Sequence, residues 1–142
     1  MDGILNVDKP LGMTSHAVVA RIRRLSGQRK TGHAGTLDPE ASGVLPVCLG
    51  RATRVIEFMV DTVKVYRAGI ELGTATDTYD AAGTVTEISS PAGVTRDDIE
   101  TALQSFRGPI LQTPPMFSAL KHQGRPLYDL AREGVTVERA SR

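Results

Sequence analysis

Residues 30–54, KTGHAGTLDPEASGVLPVCLGRATR, decide the fold of this chain and contain its most distinctive polar side chain, Asp38. Three glycines and a proline surround Asp38, so the backbone is expected to bend there rather than to continue a helix or strand. Residues 44–49 are a short apolar run rich in branched side chains, which is typical of a buried strand. Gly50 ends this run, and a helix is predicted over about residues 52–59. The sequence therefore predicts a loop that displays Asp38 at the edge of the core.

Asp38 has a structural explanation as well as a chemical one. Residues 38–41 read Asp-Pro-Glu-Ala, and an aspartate in that context can cap a short helix or begin a turn. His33, Arg51 and Arg54 are close in sequence and offer groups that bind anions or form hydrogen bonds. No arrangement of cysteine or serine competes with the aspartate as a nucleophile. The residues alone leave both explanations open.

Length and composition indicate one ordinary globular domain. The chain has 142 residues, of which 40% are hydrophobic, so it can bury a core. Its single cysteine, Cys48, lies in the apolar run and is expected to be a buried thiol in a reducing compartment. No apolar run is long enough to span a membrane, and no targeting segment is evident. His16, His33 and His122 have no metal-ligand spacing.

The net charge of +1 conceals an uneven distribution. Basic side chains outnumber acidic ones by 8 to 4 in residues 1–54 and by 6 to 3 in residues 107–142, whereas residues 55–106 hold 3 basic and 9 acidic side chains. A surface of mixed charge is the ordinary explanation, but basic first and last thirds also suit a polyanionic partner. The densest basic group, from which phosphate contacts are expected, comprises Arg21, Arg23, Arg24, Arg29 and Lys30.

Strands and helices are predicted without a regular βαβ repeat. The predicted strands cover residues 3–7, 44–49, 63–72, 84–88 and 117–121, and the predicted helices begin near residues 14, 52, 95 and 126. Thr14 or Ser15 is expected to cap the first helix, which should end at Gly27, and Thr95 and Asp98 are expected to start the third helix like a capping box. In the helices, apolar stripes at Val18, Ile22 and Leu25, and at Ile99, Leu103 and Phe106, are expected to face the core. The pattern favours the α+β class with a mixed, largely antiparallel sheet.

Four long segments together resemble the TruB family of tRNA pseudouridine synthases. They are ILNVDKPLGMTSH, GHAGTLDPEASGVLPVCLGRATR, VKVYRAGIELGTATDTYDAAG and QTPPMFSALKHQGRPLYDLAREG, and they cover nearly the whole chain. Because the segments agree in sequence and in spacing, the resemblance is far more specific than a short motif. It implies a twisted sheet flanked by helices, and an enzyme that isomerises a uridine in the T loop of tRNA without a cofactor or metal.

The resemblance also implies roles for individual residues. Asp38 corresponds to the catalytic aspartate and Tyr66 to the aromatic residue that stacks on the flipped uracil. His33 corresponds to the histidine that takes the place of the base or contacts the flipped nucleotide. Lys9 and Lys64 match family lysines near the cleft. Each has an ordinary alternative: Tyr66 as a core aromatic, His33 as a turn residue, and the lysines as solvated side chains.

The expected partner is the T-arm stem-loop of tRNA, with phosphates contacted by Arg23, Arg24 and Arg51. The family pattern continues beyond these segments, with an arginine that pairs with the catalytic aspartate, a second tyrosine and a small RNA-binding domain. We therefore expect residues 1–142 to be the N-terminal part of a cytoplasmic, monomeric enzyme and to be weakly active alone. Two alternatives are a guide-RNA-dependent pseudouridine synthase, which residues 118–134 resemble less well, and a non-enzymatic RNA-binding module.

Overall fold

The computed structural model describes residues 1–60 and 62–141. The chain divides into two compact units, Met1–Arg67 and Ala68–Arg142. The first unit contains Asp38 and all the other side chains for which the sequence predicts a role in binding or catalysis. It is therefore the part of the molecule that positions the candidate site.

A three-stranded antiparallel sheet organises the first unit. Strands β1 (Gly3–Lys9) and β2 (Thr31–His33) pair with opposite edges of β3 (Gly43–Leu49), which is the central strand. Leu45 and Val47 are buried on β3, as expected for alternate residues that face the same side of a strand. The strand predicted from the apolar run is confirmed, and Cys48 within it is buried as expected.

Helix α1 (Ser15–Ser26) supplies the other half of this core. Its Val18 and Val19 pack against the buried side chains of β3. The helix begins where predicted, because the Thr14 hydroxyl accepts a hydrogen bond from the Ala17 amide, and it ends where predicted, at the left-handed Gly27.

The predicted apolar stripe of α1 is correct only in part. Val18 is buried and Ile22 packs partly against the core, but Leu25 is 75% exposed. Helical spacing shows which face of a helix is apolar, but it does not show how far the neighbouring sheet extends along that face. The helix predicted over residues 52–59 forms as a 3₁₀ segment, Gly50–Val55, followed by the short helix α2 (Ile56–Met59).

The second unit consists of two hairpins and two helices in its described part. Hairpin β4 (Thr74–Thr76) and β5 (Val85–Ile88) is followed by α3 (Arg96–Leu103), and hairpin β6 (Lys121–His122) and β7 (Arg125–Pro126) by α4 (Leu127–Arg132). The capping box predicted at the start of α3 is present, since Thr95 and Asp98 each bond the other's backbone amide. The predicted core face of this helix is wrong, because Ile99 and Leu103 on α3 are exposed, as is Phe106 in the 3₁₀ segment Gln104–Phe106 that follows.

Two predicted strands are wrong. Residues 63–72 form no helix or strand and pair with no strand in the described part of the chain. Residues 117–121 form no strand except Lys121, which belongs to the short β6. Alternating apolar residues indicate a strand only if a neighbouring strand accepts the backbone hydrogen bonds, and sequence periodicity does not supply that neighbour.

The fold class agrees with the α+β prediction in its mixture of helices and antiparallel strand pairs. The predicted single twisted sheet is not formed by the described residues, whose strands belong to three separate sheets. Within the same residues, every helix is too short or too polar to cross a membrane.

Candidate functional site

Asp38 lies in the connection between β2 and β3, in a loop formed by residues 34–42 and called here the Asp38 loop. The Ala41 amide donates to the Asp38 carbonyl at 3.0 Å, which closes a β-turn with Pro39 at its second position. No helix begins at this point. The helix-cap explanation of Asp38 is therefore wrong, whereas the turn is present.

The Asp38 carboxylate is exposed to solvent. It accepts no hydrogen bond and forms no ion pair with any residue that the structure describes. A carboxylate in a turn usually bonds a nearby backbone amide, and this one does not, so its oxygens are available to a ligand. The freedom of the side chain contrasts with the backbone, which is held on both sides of Asp38.

Leu37, immediately before Asp38, is held by a buried serine. The Ser15 hydroxyl donates to the Leu37 carbonyl at 2.9 Å and accepts from the Leu37 amide at 3.0 Å. Ser15 is the first residue of α1 and is only 2% exposed. The Leu37 side chain packs against the core formed by α1 and β3. The backbone and the side chain of Leu37 are therefore both fixed.

Pro39, immediately after Asp38, is held by a buried lysine and a turn. Its carbonyl accepts from the Gly12 amide at 2.8 Å and from the Lys9 ammonium at 3.3 Å. The same ammonium donates to the carbonyls of Pro10 at 3.0 Å and Met13 at 2.6 Å. An ammonium has three donors, and Lys9 directs its bonds to these three carbonyls while fully buried.

The bond to the Pro39 carbonyl places Lys9 beside Asp38, which agrees with the expected place near the cleft. A solvated lysine is excluded by its burial. A direct contact with a substrate would require the ammonium to leave the three carbonyls that compensate its buried charge. In this structure Lys9 supports the Asp38 loop rather than facing a ligand.

His33 lies at the end of β2, on the chain that leads into the Asp38 loop. Its Nδ1 is 2.7 Å from the Gly35 carbonyl oxygen, which can only accept a hydrogen, so Nδ1 is the donor in this hydrogen bond. The ring meets the edge of His16 with centroids 5.3 Å apart and planes at 84°. Half-buried His33 is thus neither a free turn residue nor fully enclosed. No pattern in the sequence points to its partner His16, which is 17 residues earlier in the chain.

Lys64 and Tyr66 lie near the end of the first unit. The Lys64 ammonium donates to the carbonyls of Val60 and Thr62, and a Cβ added at Gly35 would lie 3.9 Å from the Lys64 Cε. Its side chain therefore passes close to the Asp38 loop. Tyr66 is 66% exposed, so in this structure it is not a core aromatic, and its ring is open to stacking.

The three arginines predicted to contact phosphates differ in how far their side chains are already bonded within the protein. Arg24 is exposed on α1, and the neighbouring Arg23 donates one bond to the Thr31 carbonyl at 3.2 Å. Arg51 donates through Nε and its backbone amide to the two carboxylate oxygens of Asp2, at 2.7 and 2.8 Å. These bonds hold the pKa of Asp2 below its usual range and raise the pKa of Arg51.

The described residues contain no cluster of His, Cys, Asp or Glu that could hold a metal ion. Burial alone raises the pKa of the Cys48 thiol, which is the direction that suits a packed side chain rather than a nucleophile. The sequence identified Asp38, but it did not identify Ser15, since a serine at a helix start is ordinarily only a cap.

Residues 23–142 match the model of the TruB family pseudouridylate synthase, N-terminal domain. Similar relatives include three proteins named tRNA pseudouridine synthase B, each aligned with all 142 residues of this chain. The protein from Dehalococcoides mccartyi (strain CBDB1) is 54% identical, the one from Clostridium acetobutylicum 50% and the one from Symbiobacterium thermophilum 55%. The alignments cover 47%, 49% and 48% of these relatives, respectively. The chain spans about half the length of these curated relatives. Among solved structures, a chain of a Cbf5-Nop10-Gar1 complex is 36% identical, with a TM-score of 0.56, over 87% of this chain and 32% of that one.

Proposed function

The chain belongs to the TruB family of pseudouridylate synthases, and we propose that it acts as a tRNA pseudouridine synthase on a uridine of the T loop. Support comes from relatives named tRNA pseudouridine synthase B that are 50–55% identical over the whole chain. The similarity to the chain of the Cbf5-Nop10-Gar1 complex is lower, at 36%. The name of the tRNA pseudouridine synthase B relatives supports a tRNA enzyme over the guide-RNA-dependent alternative.

The proposed reaction is an isomerisation. The bond between ribose C1′ and uracil N1 breaks, the base turns, and a bond forms between C1′ and C5. The hydrogen on C5 leaves as a proton and N1 gains a proton, so nothing is oxidised or hydrolysed. The reaction needs a carboxylate that forms or stabilises a covalent intermediate, and we assign that role to Asp38.

The observation that carries this assignment is the contrast between the Asp38 side chain and its backbone. The carboxylate is exposed and bonds no described residue, while Leu37 and Pro39 on either side are both held by buried polar side chains. A nucleophile must be reachable by its substrate and must also be presented in a fixed geometry. The Asp38 loop meets both requirements.

The target base must leave its stack to reach Asp38, at a cost of a few kcal/mol. We propose that Tyr66 stacks on the flipped uracil, a contact that contributes roughly 1–3 kcal/mol per base. Its exposed ring supports this role. His33, with Nδ1 bonded to Gly35, is proposed to contact the flipped nucleotide, and Lys64 to act beside the loop that its side chain passes.

We propose that Arg23, Arg24 and Arg51 contact phosphates of the T arm. Arg23 and Arg24 are exposed on α1, within the densest basic group of the sequence. Arg51 already pairs with Asp2, and its other guanidinium nitrogens are the ones available to a phosphate. Phosphate contacts of this kind supply affinity and orientation rather than recognition of the base.

The proposal is tested with a T-arm hairpin transcript and the natural full-length protein, in the absence of any guide RNA. The target uracil carries tritium at C5, whose release reports directly on the isomerisation. We expect tritium release from the hairpin and none from a hairpin in which the target uridine is replaced by cytidine. Release that requires an added guide RNA would favour the guide-dependent alternative, and hairpin binding without release would favour a non-enzymatic RNA-binding module.

A further inference from the structure

We infer that Ser15 is a positioning residue for Asp38, acting through the backbone of the residue between them. Ser15 does not contact the proposed substrate, because its side chain is buried at the start of α1. Its hydroxyl instead bonds both the amide and the carbonyl of Leu37, across 22 residues of sequence. The inference rests on the proposed function, since it assigns Ser15 to the presentation of the proposed nucleophile.

The two bonds define the peptide planes on both sides of Leu37. A serine hydroxyl offers one donor and can accept as well, and Ser15 uses both capacities on the same residue. No other described residue bonds the Leu37 amide or carbonyl. The carbonyl side of Leu37 is the peptide group that leads into Asp38. Fixing that plane fixes the direction in which the Asp38 side chain leaves the backbone.

The surroundings explain why loss of Ser15 would move the loop rather than unfold the protein. Buried backbone groups without partners are costly. Asp38 is exposed, so the orphaned groups of Leu37 can reach water if the adjacent backbone rotates. That rotation would relieve the cost and displace the carboxylate. A misplacement of about 1 Å can lower a catalytic rate about a hundredfold.

Lys9 supports the other side of Asp38, but a substitution of Lys9 would distinguish a positioning effect from a folding effect less well. Its ammonium bonds Pro10 and Met13 in addition to Pro39, so its removal would disturb the turn after β1 as well as the Asp38 loop. Ser15 bonds Leu37 alone through its hydroxyl. Substitutions at Ser15 therefore test the position of Asp38 more directly.

The experiment compares Ser15→Ala and Ser15→Cys in the natural full-length protein. Cysteine fills the space of serine but is a weak hydrogen-bonding group, so it preserves packing if the alanine variant folds poorly. The matched control is Ser26→Ala, which removes a hydroxyl at the other end of α1 that bonds the Ile22 carbonyl. Single-turnover rate, hairpin Kd and the unfolding midpoint are measured for each protein.

We expect both Ser15 variants to lose about ten- to a hundredfold in single-turnover rate while hairpin Kd stays within about twofold. The control should keep the wild-type rate. A merely structural role would lower the midpoint and weaken RNA binding along with the rate. Ser15 variants that retain the wild-type rate, or that lose rate only in proportion to folded protein, would overturn the inference while the proposed function stands.

Amide hydrogen exchange gives a readout that does not depend on activity. The Ala41 amide is protected by its bond to the Asp38 carbonyl, and it has no direct bond to Ser15. We expect faster exchange at Ala41 in both Ser15 variants and no change in Ser26→Ala. If the wild-type protein forms no pseudouridine, the proposed function fails. If exchange at Ala41 is also unchanged in both Ser15 variants, the inference that Ser15 positions the loop fails as well.

Discussion

The Asp38 loop and the segment of residues 63–72 both lack regular secondary structure and both carry an exposed candidate side chain, Asp38 or Tyr66, yet they are held very differently. The Asp38 loop is fixed on one side by Ser15 and on the other by Lys9 and Gly12. Residues 63–72 pair with no described strand, although the sequence predicts that they form a strand themselves. The difference shows that exposure does not measure order, because a few buried polar side chains can fix an exposed turn.

This difference bears on the two residues with the most prominent proposed roles. Asp38 has its geometry defined within the first unit, by contacts to α1 and to the turn after β1. Tyr66 has an exposed ring on an unpaired segment. Substitutions in the two regions should therefore affect stability and rate in different proportions.

The largest change in stability is expected from removing the support after Asp38. Lys9→Met keeps the apolar stem but leaves the carbonyls of Pro10, Met13 and Pro39 without the ammonium. The Pro39 carbonyl keeps its bond from the Gly12 amide, whereas the carbonyls of Pro10 and Met13 lose their described partner. Because an unpaired polar group inside a protein costs about 1–3 kcal/mol, we expect the free energy of unfolding to fall by roughly 2–5 kcal/mol. Denaturant unfolding measures this fall, with exposed Lys30→Met as control. Equal stability of the two variants would show that the buried ammonium contributes nothing to the loop.

A smaller effect, on rate alone, is expected in the unpaired segment. Tyr66→Leu removes the flat ring from an exposed position, so the unfolding midpoint should not change. Without a stacking interaction of roughly 1–3 kcal/mol, single turnover would slow by about five- to 150-fold. The neighbouring Val65→Leu, also exposed, should have the wild-type rate. If the unfolding midpoint falls together with the rate, Tyr66 is a packed core aromatic rather than a stacking residue.

A sequence-independent effect on binding is expected from α1. Reversing Arg23 and Arg24 to Glu should weaken binding of hairpins of any sequence. It should also reduce the logarithmic salt dependence of Kd by about 0.7–0.9 for each phosphate that the variant no longer neutralises. Binding titrations at several salt concentrations measure both quantities, with Arg96→Glu, in the acidic middle third, as the control. Weakened binding of the cognate loop alone would contradict a role in phosphate binding.

The smallest effect is expected from the Asp2–Arg51 pair. Both side chains are on the surface, where an ion pair contributes little to stability. Because the folded-state pKa of Asp2 is lowered by Arg51, the contribution is present above the unfolded-state pKa and is lost as the pH falls through the lowered value. Asp2→Asn should therefore lower the midpoint only slightly near neutral pH and slightly flatten its decline in acid. A clear loss of stability at neutral pH would show that the pair does more than the structure indicates.

The sequence predicted those features that depend on neighbours along the chain. The apolar run of β3, the Thr14 cap, the Gly27 stop and the capping box at Thr95 are local patterns, and all four are confirmed. The state of residues 63–72 depends on a partner strand, which local patterns do not reveal. For the same reason, local patterns did not reveal that Lys9 is buried against three carbonyls.

The candidate site, like the fold, was predictable only where its features depend on residues that are close in sequence. Asp38 stood out because glycines and a proline surround a carboxylate, and the resemblance implied a role for it. Ser15 did not stand out, because its partner Leu37 is 22 residues away. A contact between distant residues leaves no mark in local spacing. Only the fold shows that the start of α1 meets the residue before Asp38.

The central claim is that a fixed backbone presents the free Asp38 carboxylate for chemistry, and Asp38→Asn in the natural full-length protein tests it most directly. Asparagine keeps the shape of the side chain and suits the same turn, but it is neutral and a far poorer nucleophile. We predict a wild-type unfolding midpoint, near wild-type hairpin affinity and no release of tritium from C5 of the target uracil. Continued release by Asp38→Asn, with deamidation to Asp excluded by mass spectrometry, would contradict the claim.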